Sequence, residues 1–126
     1  MARILLIDDH DEIRSMLSEL LIGVGYEVEG AADGVEGMRR FRERPFDLIV
    51  TDVVMPEKEG FEVISEIRRE FPTTKVIAVS GGGTHGNLGY LTIAERLGAD
   101  RTFAKPFKMD LFLECVRELL VAKGDA

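Results

Sequence analysis

Cysteine is scarce in this chain of 126 residues, which contains Cys115 and no other. A single thiol excludes an internal disulfide, and it suits a protein of a reducing compartment such as the cytoplasm. Long apolar runs are also missing. None approaches the length of a membrane span, and the run at the N-terminus is too short for a secretory signal peptide. We therefore expect a cytoplasmic protein that does not bind membranes.

Positive charge is in deficit, since 16 Lys and Arg residues stand against 23 Asp and Glu, for a formal net charge of −7. No Lys/Arg cluster is long enough to bind a phosphate backbone, so we expect no direct contact with nucleic acid. The length is that of one ordinary domain, and 45% hydrophobic residues suffice for a core without cross-links. We predict one domain over residues 1–122 and a frayed tail over residues 123–126.

Short apolar runs alternate with amphipathic stretches five times along the chain. The strand-like runs are "RILLI", "YEVEGA", "FDLIVTD", "KVIAV" and "RTFA". A stretch with apolar residues at helical spacing follows each of them. This alternation predicts an α/β fold of the flavodoxin-like, doubly wound type. We expect a five-stranded parallel sheet in the order 2-1-3-4-5 with five helices on its two faces.

Polar residues follow four of the predicted strands, namely Asp8 and Asp9, Asp52, Ser80, and Lys105. In such a sheet, ligands bind beyond the carboxyl ends of the strands. Two carboxylates about 4 Å apart repel by about 4 kcal/mol at an effective dielectric constant of about 20, so three of them need counter-charge. Lys105 and an oxygen-bound divalent cation such as Mg²⁺ would supply it. The set predicts phosphoryl transfer, in which one carboxylate attacks phosphorus while the metal, the lysine and the hydroxyl stabilise the phosphoryl oxygens.

A glycine pattern offers a competing interpretation. Gly81, Gly83 and Gly86 match the spacing G-x-G-x-x-G after a predicted strand, and Asp100 follows about 20 residues on, as in dinucleotide-binding proteins. The pattern alone is weak. Asp100 precedes the next strand instead of ending it, and the acidic turn after the first strand would repel a pyrophosphate. We therefore expect these glycines to form only the loop after the fourth strand.

Four segments carry a resemblance to a known family. "LLIDDHDEIR", "DLIVTDVVMPEKEGFEVI", "VIAVSG" and "GADRTFAKPF" resemble the receiver domain of two-component response regulators, and the resemblance covers essentially the whole chain. It implies that Asp52 is the phosphoacceptor. It also implies Mg²⁺ (or Mn²⁺) bound directly by Asp9, by Asp52 and by the backbone carbonyl of Val54, with Asp8 acting through water.

The same resemblance implies a mechanism and partners. Ser80 and Lys105 would contact the phosphoryl oxygens, and the donor would be a phosphohistidine on a sensor histidine kinase or a histidine phosphotransfer protein. The domain would catalyse its own phosphorylation and, more slowly, its dephosphorylation. Phosphorylation would then switch the binding of a downstream protein target that the sequence does not identify.

Two departures from the family pattern concern the output switch, to which we assign Ser80 and Thr102. The family usually has an aromatic residue three positions before the lysine, where Thr102 stands here. The neighbouring Phe103 should point into the core, because strand side chains alternate between faces. The stretch between Ser80 and the fifth strand is also longer than is common. We hypothesise that the glycine-rich loop over residues 81–89, rather than an aromatic ring, orders on phosphorylation.

Two alternative functions remain open at this point. One is an interaction module that keeps the fold but does not depend on phosphorylation. The other is a Mg²⁺-dependent phosphatase acting through an aspartyl phosphate, although such enzymes usually have an acid where Val54 stands. We interpret His10 and His85 as residues of the rim or surface rather than as metal ligands, and Cys115 as a packing or semi-exposed residue rather than a nucleophile. Gly60 is interpreted as a turn glycine with positive φ.

Overall fold

Strands and helices alternate throughout the computed structural model, which describes residues 2–53, 60–80 and 88–121. In chain order the elements are β1 (Arg3–Ile7), α1 (Asp11–Gly23), β2 (Glu27–Ala31), α2 (Gly34–Glu43), β3 (Leu48–Asp52), α3 (Gly60–Glu70), β4 (Lys75–Ser80), α4 (Leu88–Leu97), β5 (Arg101–Ala104) and α5 (Met109–Val121). The strands form one sheet in the order β2-β1-β3-β4-β5, and every pairing is parallel. The predicted fold class is confirmed.

The two faces of the sheet build two cores, because successive side chains of a strand point in opposite directions. Leu5, Ile49 and Val76 belong to the core beneath α2, α3 and α4. Ile4 and Ile77 belong to the core beneath α1 and α5. The central strands β1, β3 and β4 are buried on both faces, which explains their nearly continuous apolar runs.

Local sequence explains where individual helices begin and end. The Asp33 side chain accepts a hydrogen bond from the Glu36 backbone N–H at 2.9 Å and so caps the start of α2. Gly25, with φ of +105°, provides the left-handed residue beyond the end of α1. Cys115 is buried in the core beneath α5, as predicted. Among the described residues, no helix is both long and apolar enough to cross a membrane.

Asp100 has a structural role far from any phosphate-binding loop. Its Oδ2 accepts hydrogen bonds from the Arg68 guanidinium at 2.5 Å and from the Val76 backbone N–H at 2.8 Å. These contacts lie at the amino ends of β4 and β5, opposite the end of the sheet that carries Asp52. The glycines Gly81, Gly83 and Gly86 lie outside the described residues, as does the tail over residues 123–126.

The positive φ predicted for Gly60 is wrong, since the described glycines with positive φ are Gly25 and Gly98. Close packing is what requires a glycine there. A Cβ atom on Gly60 would lie 2.6 Å from the Cα atom of Val53. The Gly60 N–H also donates to the Val53 carbonyl at 3.2 Å. The start of α3 is therefore packed directly against the backbone that follows Asp52.

Candidate functional site at the carboxyl ends of the strands

The register of the sheet brings four strand ends to one level. Asp52 is paired with Val79, and Ser80 is paired with Ala104, so β3, β4 and β5 end side by side. On the other side of β3, β1 ends at Ile7, directly before Asp8. Parallel pairing thus gathers residues that are distant in sequence at one edge of the sheet.

Lys105 joins two buried carboxylates at this edge. Its Nζ lies 2.9 Å from Asp8 Oδ2 and 3.4 Å from Asp52 Oδ2. Asp8 and Asp52 are 6% and 4% exposed, so neither charge is well solvated. Burial lowers the pKa of Lys105, but the hydrogen bond to Asp8 and the charges of Asp52 and Asp8 outweigh it and raise the pKa above its usual value. The lysine therefore remains an ammonium at neutral pH.

Hydrogen bonds to the backbone and the side chain of Asp8 hold the turn after β1 in place. The Asp8 N–H donates to the Ala31 carbonyl at 3.1 Å, and the Arg14 guanidinium donates to the Asp8 carbonyl at 2.7 Å. Asp8 Oδ1 accepts from the His10 N–H at 2.9 Å. Arg14 was not predicted as a site residue. Its role depends on α1 folding back beside the turn, which a local pattern does not reveal.

Oxygen ligands for a hard cation lie close together here. One ligand atom from each of Asp8, Asp9, His10 and Asp52 lies within 4.8 Å of the others. The three carboxylates are the donors that Mg²⁺ prefers. Ser80 is 3% exposed, and among the described residues its Oγ has no hydrogen-bond partner. A buried hydroxyl without a partner is costly, so this donor fits a ligand that brings its own oxygen atoms. The residues present therefore fit a metal and a phosphoryl group.

Three predicted features lie outside the described residues. They are the Val54 carbonyl, His85 and most of the glycine-rich loop over residues 81–89. Their assigned roles therefore stay predictions. The described part of the site consists of Asp8, Asp9, His10, Asp52, Ser80 and Lys105.

His10 lies on the rim of the site, as expected, but it is closer to the acids than the sequence indicated. Its side chain is 63% exposed. Even so, its Nδ1 lies 3.2 Å from Asp8 Oδ1 and 3.3 Å from Asp9 Oδ1. The interpretation of His10 as a rim or surface residue did not include this contact. The signal was the direct adjacency of His10 to the acidic pair at a strand end.

Thr102 and Phe103 point to opposite faces of β5, which agrees with the predicted departure from the family pattern. Thr102 is paired with Ala78, whose side chain belongs to the core beneath α2, α3 and α4. Phe103 packs instead against the core beneath α5, with its ring centroid 5.3 Å from that of Phe107 and 5.7 Å from that of Phe112. Phe103 is thus a half-buried ring packed against this core rather than an exposed aromatic ring. The switch role of Thr102 stays a prediction.

Comparison with known proteins agrees with this geometry. Residues 4–117 match the family described as "Response regulator receiver domain". The chemotaxis protein CheY of Thermotoga maritima is 31% identical over 118 residues, which cover 93% of this chain and 96% of CheY. The sensor kinase CckA of Brucella abortus is 36% identical over 124 residues, which cover 94% of this chain but 12% of CckA.

A solved structure shows the same fold. The response regulator protein TrrA of Thermotoga maritima, determined in complex with Mg²⁺–BeF, is 34% identical. The match has a TM-score of 0.83 and covers 95% of this chain and 100% of TrrA. Because the family match spans most of the chain and the CheY relative is matched over nearly its whole length, this chain belongs to the receiver domains of two-component response regulators.

Proposed function

We propose that Asp52 accepts a phosphoryl group from a phosphohistidine and that this modification switches the binding of a protein partner. The observation that carries the proposal is the contact of Lys105 with Asp52 and Asp8. It provides a charged ammonium beside a buried carboxylate at the end of a central strand. The structure of TrrA was determined in complex with Mg²⁺–BeF. The presence of the metal in that complex is consistent with a metal-dependent reaction in this family.

Each residue has a distinct part in the proposed transfer. An Asp52 carboxylate oxygen attacks phosphorus, and the bond from phosphorus to the donor's imidazole nitrogen breaks, leaving its electron pair on that nitrogen. Lys105 neutralises charge on the phosphoryl oxygens, and the Ser80 hydroxyl donates a hydrogen bond to one of them. Asp8 holds the Lys105 ammonium in place at 2.9 Å.

The metal would be Mg²⁺ or Mn²⁺, held by Asp9, Asp52 and the Val54 carbonyl, with Asp8 acting through a water molecule. When bound, it would supply positive charge opposite the oxygens of the transferring group. The need for this charge follows from the composition of the site. Among the described residues that surround the three carboxylates, Lys105 is the cation whose side chain contacts two of them.

Acetyl phosphate, a small donor, tests the chemistry without any protein partner. Intact-mass spectrometry after incubation should show one phosphate adduct in the presence of Mg²⁺ and none when EDTA replaces it. An adduct that forms equally well without a divalent cation would contradict the proposed site. Continuous release of phosphate from general phosphate esters would favour the phosphatase alternative.

An apolar groove beside Lys105 fits the docking of a phosphodonor protein. The groove has a volume of about 530 Å³, and its lining includes Ile13 and Met16 from α1 together with Pro106 and Phe107. Lys105, a residue of the site, also contributes to the lining, so the groove lies beside the site. Met16 is 49% exposed despite its apolar side chain. A histidine that delivers phosphorus to Asp52 has to approach past this edge, and the surface around it can bury apolar side chains of the donor protein.

Met16→Glu should therefore separate docking from chemistry. We expect phosphorylation by acetyl phosphate to be unchanged, because Met16 is not one of the residues proposed to hold the metal or the phosphoryl group. Transfer from a kinase should slow by about tenfold or more, because the added charge would lie against apolar side chains of the donor protein. A tenfold loss of affinity corresponds to about 1.4 kcal/mol of binding free energy. The kinase would be the sensor kinase that transfers fastest to the wild type in a panel of autophosphorylated kinases.

Ile22→Glu is the matched control, since Ile22 lies on the same helix and is 54% exposed. It lies outside the groove lining and should leave both rates unchanged. Equal slowing by both variants would indicate a general effect of the added charge. No slowing by Met16→Glu would contradict docking at this groove.

A further inference from the structure

We propose that His10 supplies an imidazole ligand to the divalent metal ion, so that this site prefers later first-row transition metals more strongly than its carboxylates alone would. The inference rests on the proposed metal site at Asp9 and Asp52, and it adds a ligand to that site. It concerns which ion the site takes. It does not change which residue accepts the phosphoryl group.

The position of the imidazole carries the inference. Nδ1 of His10 lies within 3.3 Å of one carboxylate oxygen on each of Asp8 and Asp9. A carboxylate can only accept a hydrogen bond, so a hydrogen on Nδ1 points between these two oxygens. A cation bound to the Asp9 oxygen, 3.3 Å from Nδ1, would lie within reach of the nitrogen lone pair once that hydrogen is lost. The ring therefore already presents the atom that would bind the metal.

The two oxygens of the Asp8 carboxylate have different partners, which supports the same arrangement. Its Oδ2 accepts from Lys105, while its Oδ1 is directed to His10 and accepts from the His10 backbone N–H. One side of Asp8 is thus committed to the lysine, and the other side faces the imidazole and Asp9. The ammonium and the ring face different oxygens of Asp8 and do not compete for one position.

The ring can adjust to a metal without disturbing the fold. His10 is the residue before α1, but its side chain makes no capping hydrogen bond to the helix. It is 63% exposed, so a small rotation towards a bound ion displaces only water. Removing the imidazole should therefore change metal binding without unfolding the protein.

Ligand type predicts the direction of the preference. Mg²⁺ strongly favours oxygen donors and gains little from a nitrogen, whereas Ni²⁺, Co²⁺ and Zn²⁺ bind imidazole well. A site with three carboxylates and an imidazole should therefore show a higher ratio of Ni²⁺ to Mg²⁺ affinity than the same site without the ring. His10→Ala removes the ring and leaves the carboxylates in place.

Isothermal titration of the whole chain with Ni²⁺ and with Mg²⁺, in a buffer that does not bind metals, measures this ratio. We expect the Ni²⁺-to-Mg²⁺ affinity ratio to fall by about tenfold or more in His10→Ala, as is typical when a group that supports metal binding is lost. His85→Ala, which removes the other histidine of the chain, should leave the ratio unchanged. Thermal unfolding of each variant confirms that the fold is retained.

Labelling the two histidines with ¹⁵N provides a second readout. Addition of Zn²⁺ should shift one ring nitrogen of His10, assigned by the signal missing in His10→Ala, and should leave His85 unshifted. An unchanged affinity ratio in His10→Ala, or a Zn²⁺ shift confined to His85, would overturn the inference.

Asp9→Asn distinguishes failure of the inference from failure of the site. If Mg²⁺ binding weakens strongly in Asp9→Asn while Ni²⁺ binding is unaffected by His10→Ala, the proposed metal site stands and only the imidazole ligand is wrong. If Mg²⁺ binding is the same in Asp9→Asn and the wild type, the proposed metal site itself is wrong, and the ligand assigned to it falls as well.

Discussion

Asp52→Asn should abolish the phosphate adduct that acetyl phosphate and Mg²⁺ produce in the wild type. The substitution keeps the size of the side chain but replaces the carboxylate that we propose as the nucleophile with a neutral amide. The neighbouring Asp8 is held by Lys105 and His10, so we do not expect it to replace Asp52 as the nucleophile. Intact-mass spectrometry over a time course, with rapid quenching, measures the adduct. The expected loss is complete rather than partial.

Asp47→Asn is the matched control for this experiment. Asp47 precedes the same strand at its opposite end, where its carboxylate accepts a hydrogen bond from the Arg3 N–H at 2.8 Å. An amide oxygen can accept the same bond, so the adduct should form as in the wild type. If Asp52→Asn still acquires one phosphate at the wild-type rate, another residue is the acceptor. If the wild type acquires none but binds its partner normally, the protein acts without phosphorylation.

Gly60→Ala should destabilise the fold and disturb the phosphorylation site together. The added Cβ would meet the Cα of Val53 at 2.6 Å, as well as the Asp52 carbonyl group. These atoms belong to the backbone and cannot rotate away, so β3 and α3 have to separate. Overpacking of this kind costs roughly 1–3 kcal/mol. The displaced backbone is that of the proposed phosphoacceptor, so the rate of phosphorylation by acetyl phosphate should also fall by about tenfold or more.

Gly23→Ala is the matched control, because a Cβ at Gly23 would meet nothing within 4 Å. Gly23 is the last residue of α1, where alanine is the better helix former, so a gain of about 0.4–1 kcal/mol is expected. Urea unfolding provides the free energy of unfolding for both variants, and acetyl phosphate provides the rate. Similar stability changes in Gly60→Ala and Gly23→Ala would contradict close packing at α3. A normal rate in a strongly destabilised Gly60→Ala would mean that the site tolerates the shift.

Periodicity and strand-end residues predicted the architecture and the members of the site. Apolar runs of strand length alternate with helical stretches, and only a parallel sheet covered on both faces buries both kinds of element. Parallel strands share one carboxyl edge, so residues that end strands are neighbours in space whatever their separation in sequence. That is why Asp52 and Lys105, 53 residues apart, could be expected near each other. The same alternation correctly predicted that Phe103 points towards the core, against which it is half-buried.

Local patterns fail where a contact depends on how two elements pack. The sequence pattern explains Gly60 by its own backbone angle. The structure requires a glycine there because the backbone of Val53 lies too close for a Cβ atom. The spacing of Asp100 matches the acid of a dinucleotide-binding pattern, yet its partners are Arg68 and a backbone N–H of β4. Arg14 was missed in the same way, because its bond to the Asp8 carbonyl forms only once α1 lies beside the turn.

By itself the sequence determined the fold class, the family and the residues that end the strands, because each follows from the type and spacing of residues along the chain. The tertiary structure decided how those residues divide their contacts. It assigned one oxygen of Asp8 to Lys105 and the other to His10, and it buried the Ser80 hydroxyl where none of the residues that the structure describes is its partner. Spacing determines which residues meet. Which atom faces which depends on the twist of the strands and the packing of the helices, and only the folded chain fixes these.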